Sequence, residues 1–457
     1  MKVAHIPFTF APDPIGGTEI YVEALAHSLR ACGVESLILA PSKTYTDETY
    51  EHNGLRVRRF RSAPKSKHLL RELYGDGDPE AAAAFAQILD DERPDAIHIH
   101  AFTRAVSVLL VRAAKQRGLP VFFTYHTPTV SCQRGTLMRW GNRICDGVLH
   151  VRHCTSCSLE GRGLPRWVSL LMSCSPFLFG RFLEKANLSG GVWTALRMRD
   201  LVQARHHSFQ ALIRDVDAIV AVTEWVRAVL VRNGVPESKI TLSRHGLRGV
   251  QNSQEQLVDV TKTPLRVAFL GRADKAKGAD TLVRALRSAP ELNVELHLFG
   301  VAQGTADEEY WTMLNRLALK DTRITFLPPV PNDQVVSLLR AYHVLAVPSR
   351  CVETGPLVVL ESFAAGTPVL GSNLGGISES VRHKDNGLLV EPGNVNAWAD
   401  ALRRCAQDRR LLARLRQGVE LPRGIADVAN DIVQMYRRHA KSAETQRDRL
   451  RDLMPKS

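Results

Sequence analysis

Residues 264–300 read PLRVAFLGRADKAKGADTLVRALRSAPELNVELHLFG and contain a complete strand–loop–helix–strand unit. The runs PLRVAFLG and VELHLFG have the length and apolar content of buried strands, and apolar residues at helical spacing begin at Ala279. Strands that alternate with helices are typical of a parallel sheet covered on both faces. The stretch therefore predicts a doubly wound α/β domain, in which ligands bind at the carboxyl ends of the strands.

The same alternation extends through most of the chain. Strand-length runs such as RITFLP and HVLAVPS follow the quoted stretch, and VAHIPFTF, ESLILA, AIHIHA, PVFFTYH and DAIVAVT precede it. The polar segment 250–262 interrupts the pattern and is interpreted as a linker. We therefore predict an α/β protein of two doubly wound, Rossmann-like domains that face each other across a cleft. The predicted parts are an N-terminal domain (1–250, with an insertion at about 130–205), a C-terminal domain (263–425), and a C-terminal helix with a basic tail (426–457).

The charge of the chain favours an anionic partner. The 457 residues carry a formal net charge of +13, while 44% hydrophobic and 23% charged residues are ordinary globular values. Ser131–Arg214 alone holds twelve Lys or Arg against four Asp or Glu, a net +8. Such a balance indicates a phosphate-bearing ligand or an anionic membrane surface, or else a solvated face. No aromatic stacking pattern or recognition helix accompanies it, so no nucleic-acid partner is predicted.

The location is predicted to be cytoplasmic. MKVAHIPFTF moves directly into a strand and lacks the three regions of a signal peptide, and no run of about 18 apolar residues follows. Residues 164–185, LPRWVSLLMSCSPFLFGRFLEK, are apolar with basic edges, and they include Trp167, Phe177 and Phe179. This segment either lies on the inner membrane face, which would make the protein peripheral, or forms a pair of core helices.

Two glycine-containing loops are candidate anion sites. GGTE (Gly16–Glu19) lies on the first strand-to-helix loop, where backbone amides and the helix N-terminus attract negative charge, although such a turn is as often only a turn. GRADKAKG (271–278) follows the first strand of the second domain and places Arg272 and Lys277 before a helix. Guanidinium and ammonium groups both bind phosphate oxygens, and a solvated loop is the alternative.

Two carboxylates stand in an apolar stretch near residue 355. HVLAVPS is a predicted strand and PLVVLESFAAG a predicted helix, with Pro356 in its first turn and Gly366 at its end. Glu353 then lies in the loop above the strand, and Glu361 lies one to two turns into the helix. Carboxylates in a ligand cleft accept hydrogen bonds from the hydroxyls of ribose or of a hexose ring.

These motifs, in this order, resemble glycosyltransferase family 4, which has the GT-B fold. The matching elements are GGTE, GRADKAKG, the Glu-x7-Glu pattern ETGPLVVLE, and the GTPV and GGISE pieces that follow. The resemblance implies transfer of a sugar from a nucleotide-sugar donor with retention of configuration and without a catalytic metal or other cofactor. It implies an acceptor that is a glycan or a lipid-linked molecule in polysaccharide or glycolipid assembly.

The resemblance also implies residue roles. Arg272 and Lys277 would bind the diphosphate, Glu353 the hydroxyls of the donor sugar and Glu361 the ribose, while His126 in FFTYHTP would be a catalytic histidine. Further donor-binding positions would be Gly16, Gly17, Gly271, Gly355 and Leu357.

Some features depart from the family pattern. His245-Gly246-Leu247-Arg248 stands where relatives often have Asn-Gly-Val-Asp, and Pro356 has no amide hydrogen to donate to phosphate. The alternative function is a catalytically inactive GT-B sugar-binding or scaffold subunit, against which the intact set of Arg272, Lys277, Glu353 and Glu361 argues. Asp215-Val216-Asp217 has the letters of a metal-binding Asp-x-Asp motif but only leads into the strand AIVAVT.

Four closely spaced cysteines stand in the first part of the predicted insertion. Cys132, Cys145, Cys154 and Cys157 have the spacing C-x12-C-x8-C-x2-C. His150 and His153, which lie between the second and third cysteines, are alternative ligands. A CxxC turn joined by two more thiols is compatible with structural zinc, and an iron–sulfur cluster uses the same ligands. Reduced thiols scattered in a loop are the remaining interpretation.

Overall fold

The computed structural model describes residues 1–13, 16–63, 70–175, 177–185, 188, 190–249, 258–261, 264–302 and 304–452. Its chain divides into two compact units. The first contains residues 1–244 together with the helix that begins at Ile425, and the second contains residues 245–424. Positions 250–257 and 262 of the predicted linker lie outside the described residues.

The first unit is built around a mixed sheet. Its described strands are β1 (Lys2–Ile6), β2 (Glu35–Pro41), β3 (Glu48–His52), β4 (Leu55–Phe60), β5 (Ala96–Ile99), β6 (Val121–Tyr125), β7 (Met138–Arg139), β8 (Arg143–Ile144), β9 (Ala218–Ala221) and β10 (Ile240–Leu242). Eight of these strands form a sheet in the order β10-β9-β6-β5-β1-β2-β4-β3, and β7 pairs with β8 alone. Only β3, at the edge, is antiparallel to its neighbour in the eight-stranded sheet. The central strands β5, β6 and β9 are buried along their whole length, as a sheet covered on both faces requires.

Helices cover this sheet and fill the predicted insertion. They are α1 (Gly17–Ala31), α2 (Pro79–Glu92), α3 (Val108–Gln116), α4 (Val151–Glu160), α5 (Arg166–Met172), α6 (Phe177–Lys185), α7 (Gly191–Asp215) and α8 (Glu224–Arg232). Helix α1 buries an apolar stripe of Val22, Leu25 and Leu29. The segment predicted as an insertion holds α4 to α6 and most of α7, so it is mainly helical.

The second unit has a fully parallel sheet. Its strands are β11 (Leu265–Arg272), β12 (Val294–Val301), β13 (Ile324–Leu327), β14 (Val344–Val347), β15 (Val369–Ser372) and β16 (Gly387–Val390). They are ordered β13-β12-β11-β14-β15-β16. The chain thus starts in the middle, moves out to one edge, and returns to build the other half beside β11. The carboxyl ends of β11 and β14 form the switch point at which ligands bind in doubly wound sheets.

Helices flank the second sheet as the sequence predicts. They are α9 (Ala279–Arg287), α10 (Thr305–Ala318), α11 (Val335–Leu339), α12 (Leu357–Ala364), α13 (Gly375–Ser380), α14 (Val395–Gln407) and α15 (Arg409–Gln417). The predicted doubly wound α/β fold is confirmed in both units.

The last helix, α16 (Ile425–Asp452), belongs to the first unit although it follows the second in sequence. Val428, Ile432 and Tyr436 are buried on it and share one apolar cluster with α1. The sequence had set this segment apart as a terminal helix and tail, because its packing partner lies some 400 residues upstream.

Candidate functional site

The loop between β11 and α9 lies at the switch point of the second sheet. Its turn is fixed by Asp274, whose carboxylate accepts a hydrogen bond from the Ala276 amide at 2.8 Å. Gly278 has φ +72°, and a Cβ at this position would lie 2.1 Å from the carbonyl oxygen of Pro348. Only glycine permits that approach. The loop therefore packs against the chain that follows β14, and it carries Lys277 to that point.

Lys277 and Glu353 form a short ion pair at the switch point. The Nζ–Oε1 distance is 2.6 Å, and the Ser349 hydroxyl donates to the same oxygen at 2.7 Å. Burial would raise the pKa of Glu353, but the charge and hydrogen bond of Lys277 outweigh it and lower the pKa. Burial would likewise lower the pKa of Lys277, whereas the Glu353 carboxylate raises it. Both groups are therefore charged at neutral pH.

A tight glycine turn connects Glu353 to the start of α12. The Gly376 amide donates to the Glu353 carbonyl oxygen at 2.7 Å, and a Cβ on Gly376 would lie 2.9 Å from the Gly355 nitrogen. Gly355 has φ +155°, and its carbonyl oxygen lies 3.0 Å from Nδ1 of His245. The histidine that departs from the family pattern thus fixes this turn. Pro356 immediately precedes α12, of which Leu357 is the first residue.

Glu361 is a buried carboxyl group on the second turn of α12. Its residue exposure is 8%, and within the described part of the chain it has no hydrogen-bonding or ionic partner. Burial raises the pKa of Glu361 to about 7. Buried polar groups without partners are rare in folded proteins. A group of this kind is suited to accept hydrogen bonds from a ligand.

Arg272 is less constrained than Lys277. It ends β11, directly after Gly271, and its guanidinium lies 3.4 Å from an Asp274 oxygen and 3.7 Å from an Asp307 oxygen. These distances exceed those of strong charge-assisted hydrogen bonds, and about half of the side chain is exposed. Seven of the predicted site residues lie in the second unit: Gly271, Arg272, Lys277, Glu353, Gly355, Leu357 and Glu361.

The other predicted site residues lie in the first unit. His126 follows β6 and is buried, and its Nε2 lies 3.1 Å from Nδ1 of His100. Nε2 of His100 in turn lies 3.2 Å from Nδ1 of His5 in β1, and the edge of Tyr21 packs on His126 at a ring separation of 4.8 Å. Burial lowers the pKa of His100 well below its usual value and that of His5 to about 3. The imidazoles of His5 and His100 are therefore neutral at physiological pH.

This histidine chain links the tautomers of its members. A neutral imidazole has one N–H donor and one acceptor, so each link constrains the next and the state of His126 depends on His100 and His5. His5 and His100 were not predicted as functional residues from the sequence. The available signal was AIHIHA, whose period of two places His98 and His100 on one face, and His98 pairs in register with His5. His98 itself is satisfied by Tyr436 at 2.6 Å and Thr124 at 2.7 Å.

The GGTE loop is closed by its own glutamate. The Glu19 carboxylate accepts a hydrogen bond from the Gly16 amide at 2.9 Å, and Gly17 is the first residue of α1. Burial raises the pKa of Glu19 against the opposing effect of backbone amides, that of Gly16 among them. The Gly16 amide, which was predicted to approach the donor, is thus engaged within the loop.

Two further sequence candidates are also placed in the first unit. Asp217 accepts hydrogen bonds from Lys115 at 2.8 Å and from the Val121 amide at 2.7 Å, which gives the Asp-x-Asp letters a structural role. Cys132, Cys145, Cys154 and Cys157 all line one cavity of about 170 Å³.

Comparisons with known proteins agree with this architecture. Residues 16–244 match the family model described as a glycosyl transferase 4-like domain, and residues 251–420 match that of glycosyl transferases group 1. Over 156 residues, 33% of this chain, the sequence is 38% identical to a D-inositol 3-phosphate glycosyltransferase of Nocardia farcinica, and the match spans 34% of that relative's length.

Solved structures share the fold at low identity. Sucrose-phosphate synthase from Thermosynechococcus elongatus superposes with a TM-score of 0.67 at 21% identity, covering 96% of this chain and 99% of its own. Anabaena HepE, solved in complex with UDP-glucose, gives a TM-score of 0.64 at 17% identity over 95% and 99% of the two chains. The two doubly wound units, each matched by a glycosyltransferase family model, define a glycosyltransferase with the GT-B fold. The chain belongs to glycosyltransferase family 4.

Proposed function

We propose that this glycosyltransferase moves a hexose from a nucleotide-sugar donor, with retention of configuration, to a glycan or lipid-linked acceptor in polysaccharide or glycolipid assembly. The observation that carries the donor assignment is the Lys277–Glu353 pair, with Nζ and Oε1 2.6 Å apart at the switch point. A sugar diphosphate has an anionic diphosphate beside a hydroxyl-bearing ring. One such ligand matches both the ammonium and the carboxylate. The UDP-glucose bound by HepE makes that compound the first donor to test.

The transition state of the transfer would be stabilised by charged side chains that the protein already holds in place. As the sugar departs, negative charge builds on the diphosphate, and Lys277 with Arg272 is placed to stabilise it. Glu353 would accept hydrogen bonds from the hydroxyls of the sugar, and Glu361 from those of the ribose. This scheme requires no catalytic metal, because the two basic side chains supply the positive charge.

Donor use is tested in two stages. Isothermal titration with a panel of nucleotide sugars identifies the donor, and donor hydrolysis or transfer then reports turnover. Glu353→Gln should lower kcat by about 10²-fold, the scale for one preorganised group, whereas Glu309→Gln on the exposed surface of the same unit should not. Turnover of the Glu353→Gln enzyme within about twofold of normal would refute the assignment. Donor binding with no turnover in the wild type would favour the inactive sugar-binding subunit.

The proposed role and the name of one relative together indicate which acceptors to test. The proposed role in glycan assembly calls for oligosaccharide and lipid-linked acceptors. The name of the Nocardia farcinica relative specifies inositol 3-phosphate, so a phosphorylated polyol belongs in the same panel. Transfer to one acceptor class and not to the others assigns the step.

Attachment to an anionic membrane surface is also proposed. No helix within the described ranges is long and apolar enough to span a bilayer. Helices α5 and α6 nevertheless expose Trp167 by 72%, Leu171 by 70% and Phe182 by 67%, within the segment of net charge +8. The side chains of Phe177 and Phe179 lie outside those described. Apolar side chains flanked by basic residues are typical of an interfacial contact.

Vesicle sedimentation tests this contact. The protein should bind anionic vesicles more strongly than neutral ones, and the binding should weaken with salt. Trp167→Ser combined with Leu171→Ser should reduce it, while Leu319→Ser, an exposed apolar residue of the second unit, should leave it unchanged. Equal sedimentation with both vesicle types would contradict the proposal.

A further inference from the structure

Residues 128–160, here called the cysteine segment, bring four thiols to one place from three separate pieces of chain. Cys132 follows the turn Pro128–Val130, Cys145 follows β8, and Cys154 and Cys157 lie three residues apart on α4. All four line the same cavity of about 170 Å³. Because these pieces are joined by irregular loops, their convergence is a property of the fold and not only of sequence spacing.

The part of the cysteine segment around β7 and β8 has little regular secondary structure. Strands β7 and β8 have two residues each and pair only with one another, and so short a hairpin is not stable by itself. Leu137 and Trp140 have φ of +50° and +51°, a conformation that is uncommon and costly for residues with a side chain. Small segments of this kind are commonly held together by a disulfide or a metal.

Hydrogen-bond donors already point at one of the sulfurs. The Trp140 amide lies 3.3 Å from Sγ of Cys157, and the Arg134 guanidinium lies 3.9 Å from the same atom. Amide and guanidinium donors around a sulfur stabilise a thiolate, and outer-shell donors of this type orient the ligands of metal sites.

We propose that the cysteine segment binds one structural Zn²⁺ ion through four thiolates, those of Cys132, Cys145, Cys154 and Cys157. A closed tetrahedral site of four thiolates is a standard structural zinc site. The spacing C-x12-C-x8-C-x2-C lacks the closely repeated C-x2-C-x2-C run typical of bacterial iron–sulfur clusters, which favours zinc. Binding replaces the thiol protons, so that up to four protons are released to solvent for each ion bound.

The four sulfurs must move closer together to bind the ion. Zn–S bonds of about 2.3 Å in a tetrahedron place the sulfurs about 3.8 Å apart. In the described chain, no three of these sulfurs lie within 4.8 Å of one another. We expect rotation of the cysteine side chains into the cavity to contribute to this movement, so metal binding should order the segment further.

Elemental analysis of the full-length protein, purified without chelator, tests the proposal. We expect about one zinc per chain in the wild type and in Cys174→Ser, which removes a thiol outside the cluster. Cys154→Ser combined with Cys157→Ser should lose the metal. The absence of stoichiometric zinc, iron with acid-labile sulfide in its place, or zinc retained by the double variant would overturn the assignment.

A second measurement covers the case in which the double variant does not fold. Wild-type protein grown with cobalt in place of zinc should show the intense visible absorption and sulfur-to-metal charge-transfer bands of tetrahedral Co²⁺ thiolate. Titration with a thiol-specific mercurial should release the metal and abolish these bands. Cobalt protein with the weak spectrum of an octahedral oxygen-ligated ion would refute the thiolate site. Neither readout depends on donor binding or turnover.

Discussion

The affinity for the donor is expected to depend on pH through Glu361. This carboxyl group is buried, and burial raises its pKa to about 7. If its ionised form accepts hydrogen bonds from the ribose, donor binding lowers this pKa, so affinity is full above pH 7 and falls as the pH drops through it. About nine-tenths of the group is ionised at pH 8 and about one-tenth at pH 6, which predicts a dissociation constant about tenfold higher at pH 6.

Isothermal titration with an intact nucleotide sugar at pH 6, 7 and 8 measures this change. An intact nucleotide sugar is preferable to a free nucleoside diphosphate, because a terminal phosphate has a pKa of about 6 and would itself titrate in this range. Three other ionisable groups of the second unit do not titrate in this range: the pKa of Glu353 is lowered, that of Lys277 is raised, and that of His245 is lowered by burial to about 4. Glu361→Gln should bind the donor with little pH dependence. Equal wild-type affinity at pH 6 and 8, or an unchanged slope in the variant, would refute the role of Glu361.

Three further variants test the site and its supports. Lys277→Ala should lower kcat by about 10²-fold while Lys275→Ala, on the exposed side of the same turn, should not, and equal kinetics of the two would contradict the assignment. Gly278→Ala should reduce the free energy of unfolding by more than the ~1–3 kcal/mol of backbone strain. Gly33→Ala is the control, because Gly33 has φ +75° and no atom within 4 Å of the added Cβ, so this variant carries the backbone strain without a clash. Thermal denaturation compares the two variants, and an equal loss of stability in both would exclude the predicted clash at Gly278. His100→Phe removes a partner of His126 and should change its tautomer, as measured by ¹⁵N NMR; an unchanged spectrum would show that the chain does not set it.

Glu361 also makes stability depend on pH. Its pKa is about 7 in the folded protein against a usual value of 4.5, so the folded state retains the proton to higher pH than the unfolded state. The free energy of unfolding should therefore decline between about pH 4.5 and pH 7, by at most about 3 kcal/mol. Glu361→Gln should be stabilised relative to the wild type at pH 8 but not at pH 4. Denaturant titration at the two pH values checks this, and a constant difference would contradict it.

The second unit was predictable because local signals and tertiary packing agree there. The apolar run before Gly271 is β11, the helix expected from Ala279 begins at that residue, and Gly366 follows α12 with φ +72°. Glu353 lies in the loop after β14 as expected. What the sequence did not reveal is the energetic difference between the two glutamates. Glu353 is ionised and pairs with the charged Lys277, whereas burial dominates the environment of Glu361 and raises its pKa. The difference depends on how the side chains are placed in space.

The first unit was less predictable because its contacts are distant in sequence. The edge strand β3 runs antiparallel to β4, although the alternating pattern had suggested a parallel sheet. His5 and His100 are 95 residues apart and pair only because β1 and β5 are neighbours. In the insertion, apolar character did not distinguish a core from a surface. Trp167 on α5 is exposed, whereas Leu159, Met198 and Val202 form the small buried cluster.

The position of α16 has a consequence for biosynthesis. Its residues Val428, Ile432 and Tyr436 complete an apolar cluster of the first unit, and the Tyr436 hydroxyl lies 2.6 Å from Nδ1 of the buried His98. At a translation rate of about 5–20 residues per second, the 180 residues of the second unit separate these partners by roughly 10–40 s. During that interval the nascent first unit lacks part of its core. A ribosome stalled before Ile425 should therefore present an aggregation-prone intermediate that chaperones bind. The chaperones should dissociate from the first unit only after α16 has been synthesised.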